Sequence, residues 1–391
     1  MGSSRLCFAA TLASMSSGSA YAVCPVANQY SFLFNSQAAA TLDYATTYSY
    51  TATNPLAQSL NFTVGFVTNG LSSSIIAGAQ MPAISTLINN DNASRFLVIG
   101  GIFAGRTADV SVNNRVVVTT FTVPTPVRDL TIATSDIDFT TNQFRDWYMA
   151  LGRNGASTYI PTLVTPFGQA NNTGPFTNAS SSLTLGPVAT PFAVTSAQGV
   201  GTGPSPNTNN TGDITLSFVQ PVTSVEVRYG NYPLQTGETA TGQQGIGIMG
   251  VSFCPMPLIS MTKSSAPVAI TGDNRFNIPS ADVDYTLTIT NSGGSPVDLN
   301  TTSISDLLPA QVTFFNGDID SVTAGIQNFV FTPGTSGLTL ASGNITYFDA
   351  ANASITPAAG YDPLVRSVRW VPQGTMAANS TATIRFRTRI N

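Results

Sequence analysis

Residues 282–291, Asp282-Val283-Asp284-Tyr285-Thr286-Leu287-Thr288-Ile289-Thr290-Asn291, decide the fold class of the chain. Their apolar and polar residues alternate, which places Leu287 and Ile289 on one face of an extended strand and the threonines on the other. Threonine and isoleucine are β-branched and favour strands over helices. The turn-forming Ser292 and Gly293 follow directly. The segment therefore predicts a half-buried β-strand that ends in a turn.

Two other segments also have the sequence pattern of β-strands. Residues 384–390 also alternate, so that Arg385, Arg387 and Arg389 are predicted to share one face. Residues 115–121 form a continuous β-branched run, which is typical of a strand buried on both faces or at the centre of a sheet.

Turn-rich segments separate these strands, and helix signals are scarce. Clusters of Gly, Pro, Asn and Ser occur at residues 69–74, 171–182, 199–212 and 291–296. Only residues 85–89 and 142–151 favour a short helix. A Phe followed by a Pro-Val pair occurs near residues 121–127 and again at 218–222, which indicates one strand-crossing bend used twice. The pattern predicts an all-β protein of sandwiches or barrels.

The composition excludes several classes of function. Only 9% of the 391 residues are charged, against about 25% in an average soluble protein. The chain has no histidine, which removes imidazole catalysis, the Ser-His-Asp triad and most zinc or iron sites. A net charge of −4 with one lysine, Lys263, leaves no basic surface for nucleic acid. We expect a protein that is not an enzyme.

Residues 1–22 have the pattern of a secretory signal peptide. Arg5 precedes a short apolar stretch, and Ala20-Tyr21-Ala22 fits the small-residue cleavage site. No stretch of about 20 apolar residues occurs elsewhere. We therefore expect a secreted protein, extracellular or on the cell surface, without a membrane span.

Two cysteines remain after the signal peptide, Cys24 and Cys254. An even pair in a secreted chain predicts a disulfide, with two buried free thiols as the alternative. The bridge would join the first and last strands of one domain. We expect domain one at residues 23–255 and domain two at residues 256–391, which fits the length of the chain.

The second domain contains two recognisable motifs after Lys263. The first is residues 282–293, and the second is Ile304-Ser305-Asp306-Leu307-Leu308-Pro309-Ala310-Gln311-Val312-Thr313-Phe314. Together they resemble the bacterial cell-surface conserved-repeat family, also called domain of unknown function eleven. The resemblance implies an immunoglobulin-like β-sandwich in a secreted or surface protein. A single copy, rather than a tandem array, departs from the family pattern.

The first domain has a more general resemblance. Residues 130–139 with Asp146, and residues 229–254, are similar to jelly-roll-like domains of bacterial surface proteins. The resemblances together imply an all-β chain, with an N-terminal jelly-roll-like β-sandwich followed by an immunoglobulin-like β-sandwich.

Domain one offers two candidate ligand sites. Asp136, Asp138 and Asp146 would supply carboxylate oxygens to Ca²⁺, the one cofactor that the sequence supports, although we favour a solvated strand end as the explanation of these residues. Four aromatic residues would stack on sugar rings, with ordinary packing as the alternative. These candidate glycan-binding residues are Trp147, Tyr148, Tyr229 and Tyr232.

Domain two offers a candidate covalent site. In some bacterial surface sandwiches a lysine on the first strand bonds to an asparagine on the last strand, assisted by a buried acid. By that resemblance Lys263, Asn391 and Asp306 are candidates for an intramolecular isopeptide. The alternative is an exposed Lys263, with Asp306 binding turn amides.

These features favour a structural or adhesive bacterial surface protein, such as the self-assembling subunit of an extracellular filament or surface layer. Residues 23–34 or the last strand would then be donors for strand addition between copies, and the arginine face would protect an edge strand or meet acidic partners. The alternative is a monomeric carbohydrate-binding adhesin module, with domain two as a spacer.

Overall fold

The computed structural model describes residues 24, 26–91, 93–107, 109–140, 143–164, 172–175, 197–201, 204–232, 242–268, 278–321 and 327–391. The chain divides into two compact units, Val23–Met256 and a second unit that contains Pro257–Asn391. These are domains one and two below, and their boundary lies one residue beyond the expected one. The expected signal peptide lies outside the described residues.

Domain one contains nineteen strands among its described residues. They are β1 (Tyr30–Leu33), β2 (Ala40–Thr41), β3 (Tyr48–Thr53), β4 (Ser59–Asn69), β5 (Leu71–Ser73), β6 (Ile75–Ile76), β7 (Ala79–Gln80), β8 (Ala83–Ser85), β9 (Phe96–Phe103), β10 (Val116–Ser135), β11 (Phe139–Thr140), β12 (Phe144–Asn154), β13 (Ser157–Tyr159), β14 (Thr162–Val164), β15 (Asn172–Pro175), β16 (Ala197–Val200), β17 (Ile214–Ser217), β18 (Val222–Asn231) and β19 (Gln244–Pro255).

Domain two continues with ten strands among its described residues. They are β20 (Ile259–Pro267), β21 (Asp282–Asn291), β22 (Ile304–Leu307), β23 (Val312–Asn316), β24 (Phe329–Thr332), β25 (Ile345–Phe348), β26 (Ser354–Ile355), β27 (Gly360–Asp362), β28 (Ser367–Trp370) and β29 (Ser380–Ile390). The described helical segments are three-residue 3-10 turns at Val26–Asn28, Phe34–Ser36 and Ser342–Asn344. The protein is therefore all-β, as predicted. Nowhere in the described ranges is a helix long and apolar enough to cross a membrane.

The longest strand, β10, organises domain one. Residues 116–122 lie between β4 and β18, whereas residues 131–134 lie between β17 and β19. The register shifts between Thr122 and Val127, where Pro124 and Pro126 cannot donate to the ladder. One strand thus joins both sets of partners into a single 17-stranded sheet of the described residues, in a sandwich-like arrangement. The predicted second bend lies beside the first, since Val127 pairs with Val222.

Residues 116–119 at the start of β10 are buried on both faces, as their β-branched sequence predicts. Val116, Val117 and Val118 are at most 4% exposed. Val117 belongs to the main apolar core, while Val116 and Val118 belong to a smaller cluster with Trp147 and Met149. This central position accounts for the absence of polar alternation in the segment.

Three sequence predictions about local structure are wrong. Residues 85–89 form no helix, because β8 ends at Ser85 and bends follow. The expected helix at 142–151 is strand β12 from Phe144 onward, and Arg145–Leu151 is buried throughout, so tertiary packing overrides the helical tendency of its Met, Ala and Leu. Within the predicted loop 69–74, only Gly70, with a φ of 70°, separates β4 from β5.

The disulfide between Cys24 and Cys254 is present, with Cα atoms 6.0 Å apart. It joins the beginning of domain one to its last strand, as predicted. β1 pairs with that same strand, and Tyr30 lies opposite Phe253. The covalent bond and the strand pairing therefore close the same end of the domain.

Domain two consists of two facing sheets in a sandwich-like arrangement. One sheet contains β20, β21, β29, β23, β24 and β27, and the other contains β22, β28, β25 and β26. Leu287 and Ile289 are buried in the core, as their alternation predicts. Trp370 of the second sheet contacts Phe386 of the first, with ring centroids 5.8 Å apart.

We expect replacement of Cys24 and Cys254 by serine to destabilise domain one by about 3–5 kcal/mol, because the bridge closes a very long loop. The chain has two tryptophans, Trp147 in domain one and Trp370 in domain two. Urea unfolding followed by fluorescence in a Trp370→Phe background therefore reports domain one. In a Trp147→Phe background the fluorescence reports domain two, and there the cysteine replacements should leave the unfolding midpoint unchanged. An unchanged midpoint for domain one would contradict the prediction.

Candidate functional site

A buried network of acidic side chains lies where β10 ends and β12 begins. Asp136 and Asp138 follow β10, and Asp146 lies in β12. Their exposed fractions are 5%, 6% and 0%. A solvated strand end is therefore the wrong interpretation of these residues.

Backbone amides and a tyrosine bind these carboxyl groups. Asp146 Oδ2 accepts the amide N–H of Asp138 at 3.0 Å, and Asp138 Oδ2 accepts the amide N–H of Ser205 at 2.8 Å. The Tyr229 hydroxyl donates to Asp146 Oδ1, and Gln244 Nε2 donates to the Tyr229 oxygen at 3.2 Å. The network joins the β10–β12 connection to the loop before β17 and to strands β18 and β19.

Sequence reasoning missed the other members of this network. Asn90 Nδ2 donates to Asp213 Oδ2 at 2.8 Å across a sequence separation of 123 residues. At Gly201 a Cβ atom would lie 1.7 Å from the carbonyl oxygen of Asp138, so the close approach of these two backbones requires glycine. No local motif marks contacts between residues so far apart in sequence.

Burial changes the acidity of the whole network. It raises the pKa of Asp136 to about 8, and the neighbouring carboxyls of Asp138 and Asp213 add to the rise. It raises the pKa of Asp138 to about 6, although the Ser205 amide opposes the rise. Burial likewise raises the pKa of Asp146 well above its usual value, and it also raises the pKa of Asp213. At neutral pH the network therefore retains protons.

The calcium prediction finds no support in this geometry. Within the described part of the chain, no group of three or more cysteine, aspartate or glutamate side chains is placed to hold a metal ion. Asp138 and Asp146 instead direct carboxylate oxygens at backbone amides. The arrangement anchors loops by internal hydrogen bonds.

The four candidate glycan-binding aromatics are buried, so this prediction is wrong. Trp147, Tyr148 and Tyr229 are 0% exposed and Tyr232 is 4% exposed. The rings of Trp147 and Tyr232 pack 4.8 Å apart, and Trp147 Nε1 donates to Gln198 Oε1 at 2.8 Å. These side chains pack the interior and cannot stack on a sugar from solvent.

The candidate covalent site in domain two is brought together only in part. Lys263 Nζ lies 2.6 Å from Asp306 Oδ2, and it lies 4.3 Å from the ring centre of Tyr285 and 5.6 Å from that of Phe386. Lys263 therefore points into the space between the sheets, in contrast to the exposed position that was the alternative prediction.

Asn391 lies elsewhere, so the predicted bond between it and Lys263 is wrong. Lys263 pairs with Leu287, which pairs with Ile384, seven residues before Asn391. Seven residues of strand span about 23 Å. The Asn391 amide instead contacts Thr313 Oγ1 at 2.6 Å.

The arginine face does not protect an edge strand, because β29 is paired on both sides. Arg385 and Arg387 bind Asp284 at 2.7 and 2.8 Å, and Arg389 binds Asp282 at 3.0 Å. The arginines thus form ion pairs with acidic side chains of the neighbouring strand β21. Much of their charge is compensated within the domain.

The outer surface of β20, β21 and β29 carries a regular set of hydroxyl groups, here called the hydroxyl face. Its cross-strand rows are Ser264–Thr286–Arg385, Thr262–Thr288–Thr383 and Ser260–Thr290–Thr381. Neighbouring strands are about 4.8 Å apart, and successive rows about 6.7 Å apart. None of the hydrogen bonds found among the described residues involves these eight hydroxyls. They are therefore available to an outside partner.

No protein-family model matches the chain, and no curated protein matches it significantly.

We expect domain one to lose stability as the pH rises from about 4 to about 8. Folded Asp136 keeps its proton up to about pH 8, whereas the unfolded chain releases it near pH 3.8. Between these values the folded state binds more protons, so raising the pH favours unfolding, by on the order of a few kcal/mol. Urea unfolding of the Trp370→Phe protein across this range measures the effect.

The Asp136→Asn variant should show a smaller pH dependence. Asp43→Asn is the matched control, because Asp43 is exposed and its Oδ1 atom, which accepts the Ala45 amide N–H, is retained in asparagine. The prediction fails if both variants show the same slope as the parent.

Proposed function

We propose that the protein is a secreted structural or adhesive protein of the bacterial cell surface, and that its copies assemble through domain two. The observation that carries this proposal is the hydroxyl face beside the free edge of β20. Among the described strands, β20 pairs with β21 alone. Its nine residues thus present one unpaired backbone edge next to a neutral hydroxyl surface.

An unpaired strand edge is a template for a strand of another chain. Antiparallel pairing of β20 with β20 of a second copy would extend the sheet across both molecules. Neither the free edge of β20 nor the hydroxyl face carries an unpaired charge at its centre. Arg385, at the border of the hydroxyl face, is bound to Asp284. Repulsion between copies is therefore small.

Two symmetric contacts are sufficient for an open assembly. The β20 contact is isologous and by itself produces a dimer. Stacking of two hydroxyl faces would be a second isologous contact with a different two-fold axis. Alternation of the two contacts produces a chain of molecules without a fixed end, as a filament or layer requires.

The strand donors expected from sequence are engaged within the molecule. β1, within the predicted donor segment 23–34, pairs with β19 and β3. The last strand, β29, is paired on both edges. The proposal therefore uses β20 in place of both.

The predicted signal peptide and the disulfide support an extracellular location, because disulfides persist in oxidising compartments. The proposal of a monomeric glycan-binding module loses its candidate residues, since all four aromatics are buried.

The Ser264→Lys variant should weaken assembly, because it places a charge on both the edge strand and the hydroxyl face. We expect at least tenfold higher protein concentration for half-assembly, equivalent to about 1.4 kcal/mol. The measurement is sedimentation velocity, with negative-stain electron microscopy, on residues 23–391. Ser342→Lys makes the same change at an exposed position outside both surfaces and should assemble normally. A parent protein that stays monomeric, or equal behaviour of the two variants, would refute the proposal.

A further inference from the structure

The single lysine of the chain occupies an unusual position. Of the 15 basic residues, 14 are arginine and one is Lys263. Lys263 lies on the edge strand β20, yet its side chain points inward and is only 23% exposed. It contacts Asp306 on β22, which belongs to the other sheet. The contact therefore crosses the open side of the sandwich.

Ion pairing alone does not account for a lysine at this position. In the other ion pairs of the described structure the cation is arginine, as in Arg228 with Glu226 and Arg389 with Asp282. Arginine binds a carboxylate with two parallel hydrogen bonds and is the more effective partner for a buried carboxylate. A lysine amine is a good nucleophile once it is neutral, whereas an arginine guanidinium stays protonated.

The surroundings of the pair are of low polarity. The Asp306 side chain is 9% exposed, and the rings of Tyr285 and Phe386 lie beside the Lys263 nitrogen. Burial raises the pKa of Asp306, although Lys263 opposes the rise. Low polarity reduces the cost of moving a proton from the ammonium group to the carboxylate.

The two groups are also held in position for reaction. Lys263 is fixed by the register of β20 with β21, and Asp306 by the pairing of β22 with β28. The nitrogen lies 2.6 Å from one carboxyl oxygen, and that oxygen is bonded to the carbon Cγ that the amine would attack. Reacting groups held in this way show effective concentrations of about 10⁵ M or more.

We propose that Lys263 and Asp306 form an intramolecular amide that links β20 to β22 and closes the open side of domain two covalently. A proton moves from Nζ to the carboxyl group, and the neutral amine then attacks Cγ. The C–N bond forms, one C–O bond breaks, and the oxygen leaves as water with two protons that Nζ carried. The ammonium and carboxylate groups thus become one amide and one water, without an oxidant or other reactant.

Digestion with a lysine-specific protease tests the bond directly, because the chain has one lysine. The purified protein, residues 23–391, is reduced, denatured and digested. Free Lys263 permits one cut and gives two fragments, whereas an amide on Nζ blocks it and leaves one band. We expect the parent protein to remain intact. The Asp306→Ala variant lacks the reacting carboxyl and should be cut, whether or not it folds.

Intact mass gives the independent measurement. The parent, compared in its reduced form with the encoded chain, should be lighter by one water, and Lys263→Arg should have its full encoded mass. A parent protein that is fully cut and has its encoded mass contains only an ion pair, and this result overturns the proposal. So does a water loss that persists in Lys263→Arg. Neither outcome bears on assembly through β20.

Discussion

Each domain depends on one long strand that is hydrogen-bonded along both of its edges. In domain one this strand is β10, and in domain two it is β29. Both strands change partners part of the way along, β10 at its prolines and β29 where β24 gives way to β23. Strand pairing on both sides satisfies the backbone groups that a buried segment cannot leave unpaired. The remaining elements of each domain are arranged around this pairing.

Several of the few charged groups form contacts within the chain. Asp138 and Asp146 bind backbone amides, and Asp284 binds two arginines of the neighbouring strand. Lys263 and Asp306 connect the two sheets of domain two. These charges hold loops and sheets together, while the rows of the hydroxyl face between β20, β21 and β29 carry mainly neutral side chains.

Local patterns in the sequence were sufficient for the fold class but not for the sites. Alternation, a property of neighbouring residues, placed Leu287 and Ile289 in the core. The even number of cysteines beyond the signal peptide predicted the disulfide. The burial of Trp147 depends instead on which strands surround it. The separation of Lys263 from Asn391 depends on strand register, which the sequence of one strand does not reveal.

The disulfide gives domain one an unusual response to force. A pull applied across this domain passes from Cys24 to Cys254 through the sulfur atoms, so that the 230-residue span between them carries almost no load. Extended at about 3.4 Å per residue, that span would measure roughly 800 Å. While the disulfide is intact, this length of chain cannot be extended by the applied force. It therefore transmits tension as a short, inextensible link, whatever the thermodynamic stability of the sheets that it contains.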